Sequence, residues 1–208
     1  MSKYVRMTSP TGLAKYPKLN EADFKFKKQE GQFSVSLIYT PEEGKSFISE
    51  LDKIFKSEMA AEQQHSGKKK LKLSPYVKWG KELDEEENET GNYFVKFNMN
   101  HKYFNKQNEL AFEKRPVIYN DKAQIDTESV IGGGSKIKVR FEAHRYNTTI
   151  GFGLTLHPIA AQIIELHTGG GDGMGHGFTS QEEEKVNGGE SFPEEVFASA
   201  NAGDTADF

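Results

Sequence analysis

From Phe33 the chain alternates: Phe33, Val35, Leu37 and Tyr39 share one side of a two-residue period, with Ser34 and Ser36 on the other. Such alternation turns every second side chain toward a core, so the pattern predicts a strand over 33–39. The period then changes. Thr40 is followed by Pro41, Glu42 and Glu43, an N-cap, a proline at the first helical position and acids in the first turn. Phe47, Leu51, Ile54, Phe55 and Met59 recur at helical spacing while Lys53, Lys56 and Glu58 point elsewhere, which predicts a helix to about Gln64 packed on the sheet. Two-residue alternation returns at Tyr93, Val95, Phe97 and Met99. It returns again at Ile137, Val139, Phe141 and Ala143, whose polar neighbours are Lys136, Lys138, Arg140 and Glu142. Phe152, Leu154 and Leu156 continue it, and after Pro158 an apolar segment runs from Ile159 to Leu166, read as a third consecutive strand. Short strands, many aromatics and one helix favour a mainly β fold, a small antiparallel barrel with a helical insertion, over a parallel α/β layout.

Between these elements lie segments without a period. Residues 65–80 carry five lysines interleaved with Tyr76 and Trp79 and broken by Gly67 and Pro75, a basic aromatic loop. Six acids crowd between Glu82 and Glu89 and read as a solvated excursion. Beyond Thr168 glycine dominates to Gly177, and the chain turns acidic and poor in branched apolar residues. Residues 1–168 are therefore expected to form one domain, and 169–208 a disordered tether and acidic tail.

Charge sharpens that division. Of the 208 residues, those from 169 to 208 hold nine acids and one lysine, whereas 1–168 hold 26 bases and 22 acids. A net charge of −4 thus hides a body of +4 opposed by a tail of −8, which points either to an electrostatic partner for the body or to a mask for it, with a merely solubilising tail as the plain alternative. With no cysteine there is no disulfide framework, thiolate zinc site or cysteine nucleophile. No apolar run reaches the roughly 18 residues that span a bilayer, and no membrane partner is expected. Met1 to Pro10 contain no stretch of signal-peptide length, so the chain is expected to stay in the cytoplasm where it is made.

Enzymatic constellations are scarce. The glycine-rich Gly169 to Gly177 lacks dinucleotide-loop spacing, and Gly132-Gly133-Gly134-Ser135-Lys136 lacks the Gly-Lys-Ser/Thr ending of a phosphate loop and leads into a strand. The six histidines show no paired metal-ligand spacing, and His101 and His144 read as surface residues. No two carboxylates stand apart as an acid and base pair, and neither an enzyme nor a cofactor is expected. What the chain does couple is cations with rings, the pairing that sequence-tolerant binding of single strands requires: lysine and arginine for phosphates, flat rings for bases. Lys136, Lys138 and Arg140 share a strand face followed by Arg145 and Tyr146. Lys68, Lys69, Lys70, Lys72, Tyr76, Lys78 and Trp79 form a second cluster, and Lys96 on the strand over 93–100 joins the candidates. A solubilising strand face and an aromatic-anchored loop would carry the same residues, so an adaptor with a scaffold barrel stays open as the rival, with a small nucleic-acid hydrolase behind it.

The run Ile131-Gly132-Gly133-Gly134-Ser135-Lys136, the basic strand after it, Asn147-Thr148, Glu165-Leu166 before a glycine run, the Gly67-Lys68-Lys69 loop with Tyr76, and the ending Asp207-Phe208 together resemble the single-stranded-DNA-binding proteins of podophages, the gene-2.5 class. These motifs cover about a third of the chain. The resemblance implies an oligonucleotide-binding barrel, a homodimer in the bacterial host cytoplasm, and roles in phage DNA replication, recombination and strand annealing. It also implies that a tail containing Asp204, Asp207 and Phe208 contacts DNA polymerase and helicase-primase and competes with DNA. By position Lys138 and Tyr146 resemble the family's strand lysine and stacking tyrosine, while Ser66 stands where family members place an arginine, leaving Lys68 to Lys70 to supply that charge.

Overall fold

The computed structural model describes residues 4–167; the predicted tether and tail, with Asp204, Asp207 and Phe208, lie outside the described residues. The described part holds ten strands and one helix: β1 (Val5–Thr8), β2 (Gly12–Asp23), β3 (Gln32–Tyr39), α1 (Pro41–Ser66), β4 (Trp79–Leu83), β5 (Glu89–Asn100), β6 (Lys102–Phe104), β7 (Leu110–Glu113), β8 (Val117–Tyr119), β9 (Lys136–Thr148) and β10 (Gly151–Glu165). The main sheet runs β4-β5-β3-β2-β9-β10-β8 with β1 added on β9, and β6 and β7 form a separate two-stranded hairpin. Every pairing is antiparallel except β8 with β10. The sheet curls until β10 packs against β5, giving the expected mainly β barrel with one helical insertion.

The alternating segments form its lining. Val35 faces Phe97 and Leu37 faces Val95 in the β3–β5 register, and all four are buried. Phe141 from β9 meets Phe97 at 5.2 Å between ring centroids, and Phe47 from α1 meets Phe141 at 6.2 Å. The helix thus earns its place by delivering Phe47 and Leu51 to the barrel core, each burial contributing about 1.5–3 kcal/mol. Thr40 takes the N-cap position, but its hydroxyl donates to Glu43 Oε2 at 3.1 Å rather than capping a backbone amide.

Two expectations change. The predicted break at Pro158 does not occur: β10 passes through it opposite Phe141, with a bulge before Ala160, so two long strands stand where three short ones were expected. A bulge tolerates proline because the ladder bond its missing N–H would make is already interrupted there. The acidic run is a tight hairpin turn rather than a loose excursion, since β4 extends to Leu83, β5 starts at Glu89, and Asp84 accepts from the amides of Glu86 and Asn88. The glycine run forms a turn: β9 begins sharply because Gly134 adopts φ 91°, a left-handed conformation that a side chain would strain.

Candidate nucleic-acid interface

The basic aromatic loop after α1 is stitched to two strands. Phe152 N donates to Lys72 O and Ser74 N to Phe152 O, both at 2.8 Å, and Lys96 N donates to Lys78 O at 2.7 Å. Residues 72–78 therefore bridge the start of β10 and the outer face of β5. Tyr146, near the end of β9, donates through its hydroxyl to Ser74 Oγ at 3.0 Å, and the same oxygen accepts from Tyr76 N at 3.3 Å. The half-buried Tyr146 ring lies over Gly153, where an added Cβ would come within 2.4 Å of its hydroxyl. Only glycine leaves room for it. Beside them Tyr76 is 63% exposed and rims a cavity of about 220 Å³ floored by Phe152 and Trp79.

Cations line the continuation of this path. Lys78 is half-buried and held below the usual lysine range, by burial first and then by the charges of Lys96 and Lys27. Lys27 Nζ donates to Asn100 Oδ1 at 2.6 Å, and next to it on the polar side of β5 Asn98 Oδ1 is buried with no hydrogen-bond partner among the described residues. Among the described residues neither Lys78 nor Lys96 forms an ion pair. Like charges set beside the half-buried Lys78 leave a site that gains from an anion.

The other predicted residues are placed differently. Lys136 is paired with Glu165 at 2.6 Å, and Arg140 donates to Thr8 Oγ1 at 3.1 Å. Lys138, half-buried between them, forms no ion pair among the described residues and borders a cavity of about 320 Å³ with Thr8, Arg140 and Gln162. Arg145 is flanked by Glu58 at 3.3 Å and Glu62 at 3.6 Å, so acids of α1 already balance its charge. Lys68, Lys69 and Lys70 are exposed. Trp79 corrects the sequence reading: it is 8% exposed, faces inward opposite Val95 and donates through Nε1 to Asp52 at 2.8 Å, so its ring is core and offers no stacking face. The segment Phe24-Lys25-Phe26-Lys27-Lys28 shows the same interleaving of rings and cations that marked the loop after α1, and it is the signal by which Lys27 was discoverable.

His144, expected at the surface, instead sits in a stack, 3.8 Å from Tyr4 and 4.0 Å from His157 between ring centroids. His157 is pushed down to about 3 by burial, with His144, Lys114 and Lys27 adding to the shift, and its Nδ1 is buried without a hydrogen-bond partner among the described residues. Glu142 beneath is driven up by burial, but bonds from His144 and Arg6 outweigh this and hold it below the usual carboxylate range. Among the described residues no group of three His, Asp or Glu side chains is placed to hold a metal ion, and no helix is long and apolar enough to cross a membrane.

No curated protein sequence matches the chain. Among solved structures, gp2.5, a single-stranded DNA binding protein encoded by bacteriophage T7, superposes with a TM-score of 0.61 at 22% identity over 80% of this chain and 95% of that one. The single-stranded DNA-binding protein from bacteriophage Enc34, in complex with ssDNA, superposes with a TM-score of 0.58 at 13% identity over 80% and 89%. Residues 11–166 match the family model described as single-stranded DNA-binding protein, bacteriophage T7. The chain therefore belongs to this family of phage single-stranded DNA-binding proteins, binders rather than enzymes, and its barrel is the oligonucleotide-binding fold.

Proposed function

We propose that this chain binds single-stranded DNA with the bridge of residues 72–78 and the adjoining outer face of β5, placing bases against Tyr146 and Tyr76 and phosphates on Lys78, Lys96 and Lys27. One observation carries the reading: cations without acid partners continue directly from half-exposed rings, the two components that sequence-tolerant binding needs. Lys138 and the exposed Lys68 to Lys70 extend the positive surface. Membership of the family supports replication, recombination and strand annealing in the bacterial host cytoplasm as the setting, and a homodimer as the working form.

The acidic segment completes the proposal. Its charge of −8 opposes the body, a glycine-rich run spans Gly169 to Gly177, and a flexible segment of about 30 residues would explore a radius of roughly 5–6 Å times the square root of its length. Its carboxylates imitate phosphates and Phe208 a stacked base, so DNA competes with the tail, and the displaced tail, with Asp204, Asp207 and Phe208, recruits DNA polymerase and helicase-primase. The test is filter binding with single-stranded against duplex DNA across a salt series, for the full chain and for a chain lacking residues 182–208. Single strands are expected to bind far more tightly than duplex, and the truncated chain more tightly still at low salt. Absence of any preference for single strands would leave the barrel a scaffold and the protein an adaptor.

A further inference from the structure

The β6–β7 hairpin carries a cluster of rings that the fold does not use. Tyr103 and Phe112 stack on one another at 4.7 Å with 18° between their planes, yet neither belongs to the barrel core, and all four residues of β7 are exposed. The β2–β3 loop meets the hairpin through two backbone bonds, His101 N to Gly31 O at 3.0 Å and Lys102 N to Glu30 O at 2.8 Å. That loop brings two more rings, Phe24 at 41% and Phe26 at 87% exposure. Exposed phenylalanines grouped in this way mark an interaction surface, because leaving them in water forfeits their burial.

The rings are also accompanied by lysines. Lys114 lies over both Tyr103 and Phe112, at 5.5 and 5.6 Å from the ring centroids, Lys102 over Phe24 at 5.9 Å, and Lys25 over Phe26 at 5.4 Å. Glu113 offsets part of this charge, 3.8 Å from Lys102 and 3.9 Å from His101. Protein-protein interfaces deplete lysine, whereas single-strand sites combine it with stacking rings, so the composition selects a nucleic acid over a protein as occupant. The patch also adjoins the proposed path: Lys27, on the same loop as Phe24 and Phe26, acts on Lys78, and Lys27 and Lys114 both act on His157.

We infer that the β6–β7 hairpin and the β2–β3 loop form a second stacking platform, on which Phe112, Tyr103 and Phe26 take further bases of the strand bound at Lys78 and Lys96 while Lys114 and Lys25 hold the intervening phosphates. The inference rests on the single-strand reading above and extends the footprint past the barrel face. It assigns a role to rings that neither the barrel core nor the tail requires.

Oligo(dT) binding to the parent, to Phe112→Ala and to Phe112→Trp tests it, with melting temperature measured alongside. Because Phe112 is exposed, Phe112→Ala should melt like the parent and bind about fivefold or more weakly. The indole introduced by Phe112→Trp should be quenched by oligo(dT) beyond the change shown by the buried Trp79 of the parent. A parent that binds tightly, with Phe112→Ala binding equally well and no added quenching, overturns the platform and leaves the proposed function standing. If the parent fails to bind, both fall. If Phe112→Ala alters sedimentation but not oligo(dT) affinity, the patch is a contact between copies of the chain, and the platform is likewise overturned.

Discussion

The outer face of β9 and the outer face of β5 with its bridging loop look alike as charge but differ as sites. On β9, Lys136 is held by Glu165 and Arg140 by Thr8, so two of three cations already have partners. At the bridge, Lys78 and Lys96 have no acid partner among the described residues, and burial, followed by the charges of Lys96 and Lys27, holds Lys78 below its usual range. A basic residue contributes to anion binding according to what it is not already bound to. Rings follow the same logic: Trp79 spends its ring on Phe55 and its N–H on Asp52, while Tyr76, three residues earlier, stays in water.

The largest expected effect separates the two faces outright. Reversing charge at the bridge with Lys78→Glu and Lys96→Glu should weaken oligo(dT) binding on the order of 100-fold, because two phosphate contacts are lost and two repulsions gained. Lys136→Glu should change it several-fold at most. Comparable losses in both variants by filter binding would erase the distinction.

Tyr146→Ala comes next, with an expected loss of about 1–3 kcal/mol of binding from one unstacked base. Its hydrogen bond to Ser74 contributes about 1 kcal/mol to stability, so melting should fall modestly. Tyr146→Phe should lose the bond and keep the binding. A large drop in melting temperature in Tyr146→Ala that Tyr146→Phe does not share would make the ring structural.

Smaller in size but more specific is the salt dependence. Lys96→Ala and Lys138→Ala should each make the slope of log affinity against log salt less negative by about 0.7, the contribution of one single-strand phosphate. Lys136→Ala should leave the slope unchanged, since Lys136 is engaged by Glu165 and contributes no phosphate contact.

The effect of pH falls on stability and not on binding. His157, at about 3 in the folded chain against about 6.5 unfolded, takes up its proton only on unfolding across that interval. Stability is therefore fully present above about pH 6.5 and declines as pH falls toward 3, where charged His157 would face His144, Lys114 and Lys27. Glu142, whose folded value is lowered, adds loss in the same direction at lower pH. His157→Gln should thus melt with a flatter pH profile between about pH 6.5 and 4 than the parent. Parallel profiles for the two proteins would show that His157 is accommodated when charged.

What the amino-acid order determined alone was local and periodic. The alternation of β3 and β5, the helical stripe of Phe47 and Leu51 and the basic side of β9 each follow from spacing between neighbours, and each lies where the pattern places it. The glycine-serine-lysine run and the lysine loop sufficed for the resemblance that the family match bears out. Pairing between distant segments was out of reach. Pro158 reads as a break until Phe141 lies opposite it across a bulge, and the short strands β6, β7 and β8 have too few residues to show a period. Which cations are free was decided only in three dimensions, because an ion pair such as Lys136 with Glu165 joins residues far apart in sequence. The same holds for Trp79, aromatic and lysine-flanked in the sequence, whose ring turns inward because β4 pairs with β5 in the register that sets it opposite Val95.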